Sequence, residues 1–178
     1  ENCGGQINTT RIIKAISTKS ETEVDPSQAG TLVHTNTQGL TTTLKFPTQA
    51  VTETTTVVYE AIPLPTLPVS PGLRFAGDVF NLDAYRLGSF LIPGFSFQKA
   101  VTLAIKYSDA DVKRFFEGTL ALYRWTGSAW EKVGYQVGES QMLHTGDNLL
   151  TVQLRGLSKF GFMGIPIRRF IYLPLVQR

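Results

Sequence analysis

Short runs of β-branched and aromatic residues, each cut off by Gly, Pro, Asn or Asp, recur along the whole chain, while a 3.6-residue apolar period is almost absent. The runs are TTRIIKAIST, GTLVHT, LTTTLKF, TTTVVYEAI, LRFAGDVFNLDAY, AVTLAIKYS, GTLALYRWT, AWEKVGYQV, NLLTVQLRGL, FGFMGI and RFIYLPLV. Roughly ten or eleven strands at this spacing predict an all-β chain, an antiparallel β-sandwich built as one unit or as two packed β units. Thr is frequent in these runs. Its β-branched carbon favours the extended backbone and its hydroxyl tolerates water, so it suits strands with one wet face. The same enrichment occurs in O-glycosylated surface proteins, although the proline-rich mucin pattern is missing here.

Two stretches break the pattern. AIPLPTLPVSPG is too rich in proline to donate the ladder bonds of a central strand, so residues 63–72 are expected to form a connector. It would separate the N-terminal strands in 1–62 from the remaining strands and hairpin in 73–167, with an apolar strand in 168–178, all in one compact domain. It would join two sheets of the sandwich or two subdomains; it also resembles a polyproline II ligand, without the flanking basic residues. SDADVKRFFEGT predicts the one short helical turn, near 109–117, with Asp109 as its cap and Asp111 in its first positions, near the positive end of the helix dipole. A calcium loop from Asp109, Asp111 and Glu117 is disfavoured, because DADVKRFF supplies neither a third oxygen ligand nor a central Gly at the EF-hand offsets.

A chain of 178 residues can bury a core without staples. Charged residues make up only 17% of it, below the usual quarter of soluble domains. The net charge of +3 comes from Lys and Arg scattered singly among the strands, a distribution that argues against nucleic acid as a partner. The single Cys3 excludes an internal disulfide and a cysteine-based zinc site, and leaves either a free thiol or an intermolecular or lipid linkage. The start at Glu1, without a methionine, is expected either from removal of a signal peptide or from trimming of the front of the chain. No run approaches the eighteen or so apolar residues of a spanning helix, so no membrane span is expected.

Catalytic signals are sparse. His34 and His144 are the only histidines, and neither sits in an HExxH or HxH pattern; both are expected to be partly exposed strand-end residues. There is no GxSxG, GxGxxG or GxxxxGK[ST], and the acidic residues fall mostly in turns such as SETEVD and HTGDN. The expectation is no catalytic residue, no metal and no cofactor. Tyr123, Trp125, Trp130 and Tyr135 lie on a predicted hairpin, LYRWTGSAWEKVGYQ, with its tip at 126–129. Exposed in a row, the rings would form a carbohydrate platform; paired across the strands, they would hold the hairpin together, which is the commoner use.

The stretch TTTLKFPTQAVTETTTVVYEAI resembles the Phe-Pro-x-x-Ala-Val-x-x-x-Thr-x-Val core of ZU5-like β-sandwich modules. The following AVTLAIKYSDADV, LALYRWTGSAWEKVG and NLLTVQLRGLSKFGFMG are similar, in order, to the segment that follows this core in bacterial secreted and surface proteins, over about Leu40 to Gly164. Some ZU5 relatives cleave themselves at a His-Phe-Ser motif. The corresponding place here reads Ser158-Lys159-Phe160-Gly161, which lacks both the His and the nucleophilic Ser. The ending FIYLPLVQR is similar to the Tyr-Leu-Pro-Leu-Val-x-Arg terminus of exported proteins in one lineage of filamentous bacteria. These resemblances imply a fold and an extracellular or cell-surface address, not a reaction.

The resulting expectation is an extracellular, non-enzymatic structural β-sandwich that assembles with copies of itself into a filament or surface layer. The contact would be a terminal strand, with Ile12, Ile13, Phe170, Ile171, Tyr172, Leu173 and Leu175 as candidate residues. In an extended chain Phe170 and Tyr172 share one face while Ile171, Leu173 and Leu175 share the other, so both faces are apolar. The alternatives are a carbohydrate-binding or adhesion module that takes a surface polysaccharide, and a secreted hydrolase with carboxylates drawn from separate strands.

Overall fold

The computed structural model describes residues 18–63 and 65–167. Cys3, Ile12, Ile13 and the segment from Phe170 to Leu175 lie outside the described residues. Twelve strands are present: β1 (Lys19–Val24), β2 (Gly30–Thr35), β3 (Thr41–Phe46), β4 (Thr55–Ala61), β5 (Arg74–Arg86), β6 (Phe90–Leu91), β7 (Ser96–Lys106), β8 (Ala121–Trp125), β9 (Trp130–Lys132), β10 (Ser140–His144), β11 (Leu149–Gly156) and β12 (Lys159–Gly164). They form a seven-stranded sheet in the order β1-β4-β5-β12-β8-β9, with β6 on β5, and a five-stranded sheet in the order β10-β11-β7-β3-β2. All the pairings are antiparallel, and the two sheets make the expected β-sandwich.

Alternation decides which face each strand buries. In β11, Leu150, Val152 and Leu154 point inward while Thr151 and Gln153 face out. In β2, Leu32 and His34 point inward between Thr31, Val33 and Thr35. The inward side chains of both sheets, among them Leu44, Tyr59, Phe80, Leu103, Leu122, Leu150 and Phe160, meet in one core. Strand β12 breaks the alternation: its last five residues, Phe160 to Gly164, are all buried. The reason is a second apolar cluster on the opposite side of the same sheet. There Val79, Trp130 and Met163 are buried beneath Ile62, Leu67, Val69 and Leu73.

Those covering residues flank or belong to the proline-rich stretch, whose place in the fold corrects the sequence reading. It joins β4 to β5, which are neighbours in one sheet, rather than joining two sheets or two subdomains. It is a strap over a sheet face as well as a connector.

Some expected strands differ. AWEKVGYQV yields only the three residues of β9, while β1, β6 and β10 arise where no run was read. Strand β6 has only two residues and β10 five, and β1, KSETEV, carries three charges, the composition of a protected sheet edge. The α-helical turn forms at Asp109–Val112, but Ser108 rather than Asp109 caps it. Asp111 completes a capping box by accepting from the Ser108 backbone N–H while its own N–H donates to Ser108 Oγ. Two further single turns, of 3₁₀ type, occupy Glu117–Thr119 and Thr145–Asp147.

Candidate functional site

The aromatic hairpin is the site the sequence singles out most clearly. Trp125 and Trp130 are direct cross-strand partners on β8 and β9, with ring centroids 5.4 Å apart. The loop between them closes through Thr126, whose N–H donates to the Ala129 carbonyl at 2.9 Å. Gly127 in this loop has φ +100°, a conformation that side chains rarely adopt. Trp130 is 7% exposed and meets the edge of Phe75 at 5.6 Å, and its Nε1 has no hydrogen-bond partner among the described residues. Tyr123 and Trp125 are half-buried at the margin of the same cluster, whereas Tyr135 stands off it, 77% exposed. The four rings therefore do not form one open row. Three belong to the strap-covered cluster, and burial pushes the Tyr123 hydroxyl up in pKa, with a smaller contribution from Tyr135.

The candidate acidic ligands are taken up individually by the fold. Asp109 accepts from Asn148 at 2.8 Å, Asp111 accepts from the capping Ser108 hydroxyl at 2.6 Å and from Gln38 at 3.2 Å, and Glu117 accepts from the Tyr107 hydroxyl at 2.9 Å. No group of three His, Cys, Asp or Glu side chains suited to a metal ion occurs among the described residues.

The histidines occupy β2 and β10, the two outer strands of the five-stranded sheet. Four strand spacings of about 4.8 Å put them roughly 19 Å apart, too far to share a ligand. His34 is buried rather than partly exposed. Its ring stacks on Tyr59 of the other sheet at 4.3 Å, and its Nδ1 lies 3.0 Å from Ser20 Oγ on β1. Burial holds its pKa below the usual imidazole value, with a partial opposing effect from Asp78. The arrangement ties β1 to β2 where the edges of the two sheets meet. Sequence inspection missed it because Ser20, His34 and Tyr59 carry no local motif and come together only in the folded sandwich.

The opposite edge holds a second buried polar group that the sequence did not flag. Arg124 of β8 pairs with buried Glu139, which also accepts from the Arg155 N–H of β11 at 3.4 Å. Gln141 accepts from the Leu122 N–H at 2.9 Å, linking β10 to β8 across the sheets. Breaking such a buried pair leaves an uncompensated charge, so its role here is to close the sandwich.

Gly161 of β12 leaves no room for a side chain. A Cβ there would lie 2.9 Å from both Phe75 Cε1 and Met163 Cε. No helix among the described residues is long and apolar enough to cross a membrane. The chain matches no protein-family model, and no curated protein matches it.

Proposed function

We propose that this chain is a non-enzymatic structural protein of the cell exterior, a filament or surface-layer subunit that joins copies of itself by donating residues 168–178 as a strand. The observation that carries this reading is the way the described chain ends. After β12 the backbone forms a short ladder with the segment that follows the helical turn. Ile167 N–H donates to Arg114 O at 2.7 Å, Phe116 N–H donates to Ile165 O at 3.0 Å, and Pro166 bridges Phe115. Phe116 is 54% exposed, and Ile165 and Ile167 are also exposed, so an apolar rim with strand geometry precedes FIYLPLV in sequence, separated from it by Arg168 and Arg169. A segment apolar on both faces is suited to an open sheet edge, where main-chain bonds give affinity and alternate side chains give register.

The likeness of Leu40 to Gly164 to ZU5-like modules of bacterial surface proteins supports the extracellular address. A sugar-binding role for Trp125 and Trp130 has less support, because the strap lies over the cluster to which both belong.

Deleting Phe170 to Arg178 and measuring mass by light scattering, together with thermal unfolding, tests the proposal. Donation to a neighbour predicts a folded monomer with unchanged unfolding that no longer assembles. A destabilised protein would show instead that the segment packs within its own sandwich. Unchanged stability and assembly would remove any structural role for it.

A further inference from the structure

Strands β2, β3, β7, β10 and β11 contain no aspartate or glutamate, yet they carry Lys45, Lys99, Lys106 and Arg155. The five-stranded sheet thus has charge of one sign only. Its register lays out the outer face as a grid. One row runs Val33, Thr43, Ala104, Thr151, Met142 across all five strands, and the next runs Thr31, Lys45, Thr102, Gln153, Ser140. Val33 and Met142, the ends of the first row, are 51% and 63% exposed. Short Thr, Ala and Ser side chains between them make a low surface that a flat partner can approach closely.

The complementary surface is on the other sheet of the same molecule. On the outer face of β1, β4 and β5, Glu21 shares a row with Val58 and Asp83, and Glu60 lies in the next row between Lys19 and Asn81. Lys19, paired with Glu21 at 3.0 Å, is the one basic residue of β1 and β4. Burial, and to a lesser degree the neighbouring Glu60 carboxylate, raises the pKa of Asp83, which accepts from Asn81 Nδ2.

We propose that the outer face of the five-stranded sheet of one copy docks on the acidic strip of Glu21, Glu60 and Asp83 in a second copy, with Lys45 and Lys106 among the carboxylates. The two surfaces differ, so the contact is head-to-tail and leaves a free face at each end of any stack. This rests on the self-assembly reading above but uses a contact separate from residues 168–178. Five strands about 4.8 Å apart and three outward rows about 6.8 Å apart give a face of about 400–500 Å², roughly half the partner surface of a standard stable interface. The contact is accordingly weak, charge-steered and salt-sensitive.

The test uses the full chain and two charge-reversed forms, Lys45→Glu with Lys106→Glu, and Glu21→Lys with Glu60→Lys. All four positions are exposed, so folding should be little affected, and thermal unfolding checks this. In sedimentation equilibrium at low ionic strength, the mass of the unmodified protein should rise with concentration toward dimer and beyond. Part of that rise should be lost in about 1 M salt, where screening acts within about 3 Å. Each charge-reversed form alone should lose the salt-sensitive part of this rise, and an equimolar mixture of the two should regain it. If either form alone associates like the unmodified protein, or the mixture does not, the face-to-face contact is wrong while self-assembly through residues 168–178 stands. If the unmodified protein remains monomeric under all conditions, both readings fall.

Discussion

The outer faces of the two sheets solve one problem in different ways. On the seven-stranded sheet, Phe75, Val79, Trp130 and Met163 face away from the main core, and the chain covers them with Ile62, Leu67, Val69 and Leu73 of the strap and its flanks. On the five-stranded sheet the outward rows are mostly Thr, with Ala104, Ser140, Gln153 and Lys45, and the apolar Val33 and Met142 stand exposed at the two edges without a cover. The side chains chosen for the outer face thus decide whether a sheet needs a third layer. The lesson extends to sequence reading: a proline-rich stretch between two strands of one sheet becomes a strap when that sheet carries rings on its outer face.

The comparison breaks most sharply at Trp130. Trp130→Ala should lower the unfolding free energy by about 3–5 kcal/mol, the usual cost of removing a buried ring, as read by urea denaturation. A loss below about 1 kcal/mol would mean that the strap does not shield it. Replacing Leu67 and Val69 by Ser should cost about 1 kcal/mol each, since partial burial contributes only part of the 1.5–3 kcal/mol of a full one. It should also shift tryptophan emission to longer wavelength as water reaches the cluster.

The acidic strip sharpens the comparison through pH. A carboxyl whose folded pKa lies above its ordinary value of 3.8 favours the folded state at low pH and loses that contribution as pH rises through the raised value. Asp83→Asn should therefore stabilise relative to the unmodified protein by an amount that grows from below pH 3.8 through the raised titration range and then levels off. A difference in unfolding temperature that stays constant over that range would refute this. His34 works with the opposite sign. Its lowered pKa means that stability falls as pH drops below 6.5 toward the folded value, and His34→Gln should flatten that slope. The smallest effect belongs to the bare face, where Thr43→Ala should change stability by no more than about 0.5 kcal/mol.

Much of the sandwich was legible residue by residue. Alternation identified β2, β3, β4, β7, β8 and β11, and the turn signals around Thr126 to Ala129 located the hairpin tip. Strand β1 escaped because KSETEV owes its extended form to pairing with β4 rather than to apolar content. The helical turn was placed correctly, but its cap was assigned one residue late, since Asp109 and Ser108 are both good capping types and only the Ser108–Asp111 exchange distinguishes them. The cross-strand pairing of Trp125 with Trp130 could be anticipated from a two-stranded hairpin, because it depends on residues five apart.

What the sequence determined by itself is whatever acts over a few residues: the two-residue period that makes strands, and the glycines and prolines that end them. The tertiary structure alone decided which runs share a sheet, which side of Val79 and Met163 needed a cover, and that Ser20, His34 and Tyr59 meet at the sandwich edge. The physical reason is range. Backbone preference and alternation are local, but sheet order, burial of a second face and the pairing of buried polar groups depend on residues tens of positions apart, whose meeting is set by the packing of the whole chain.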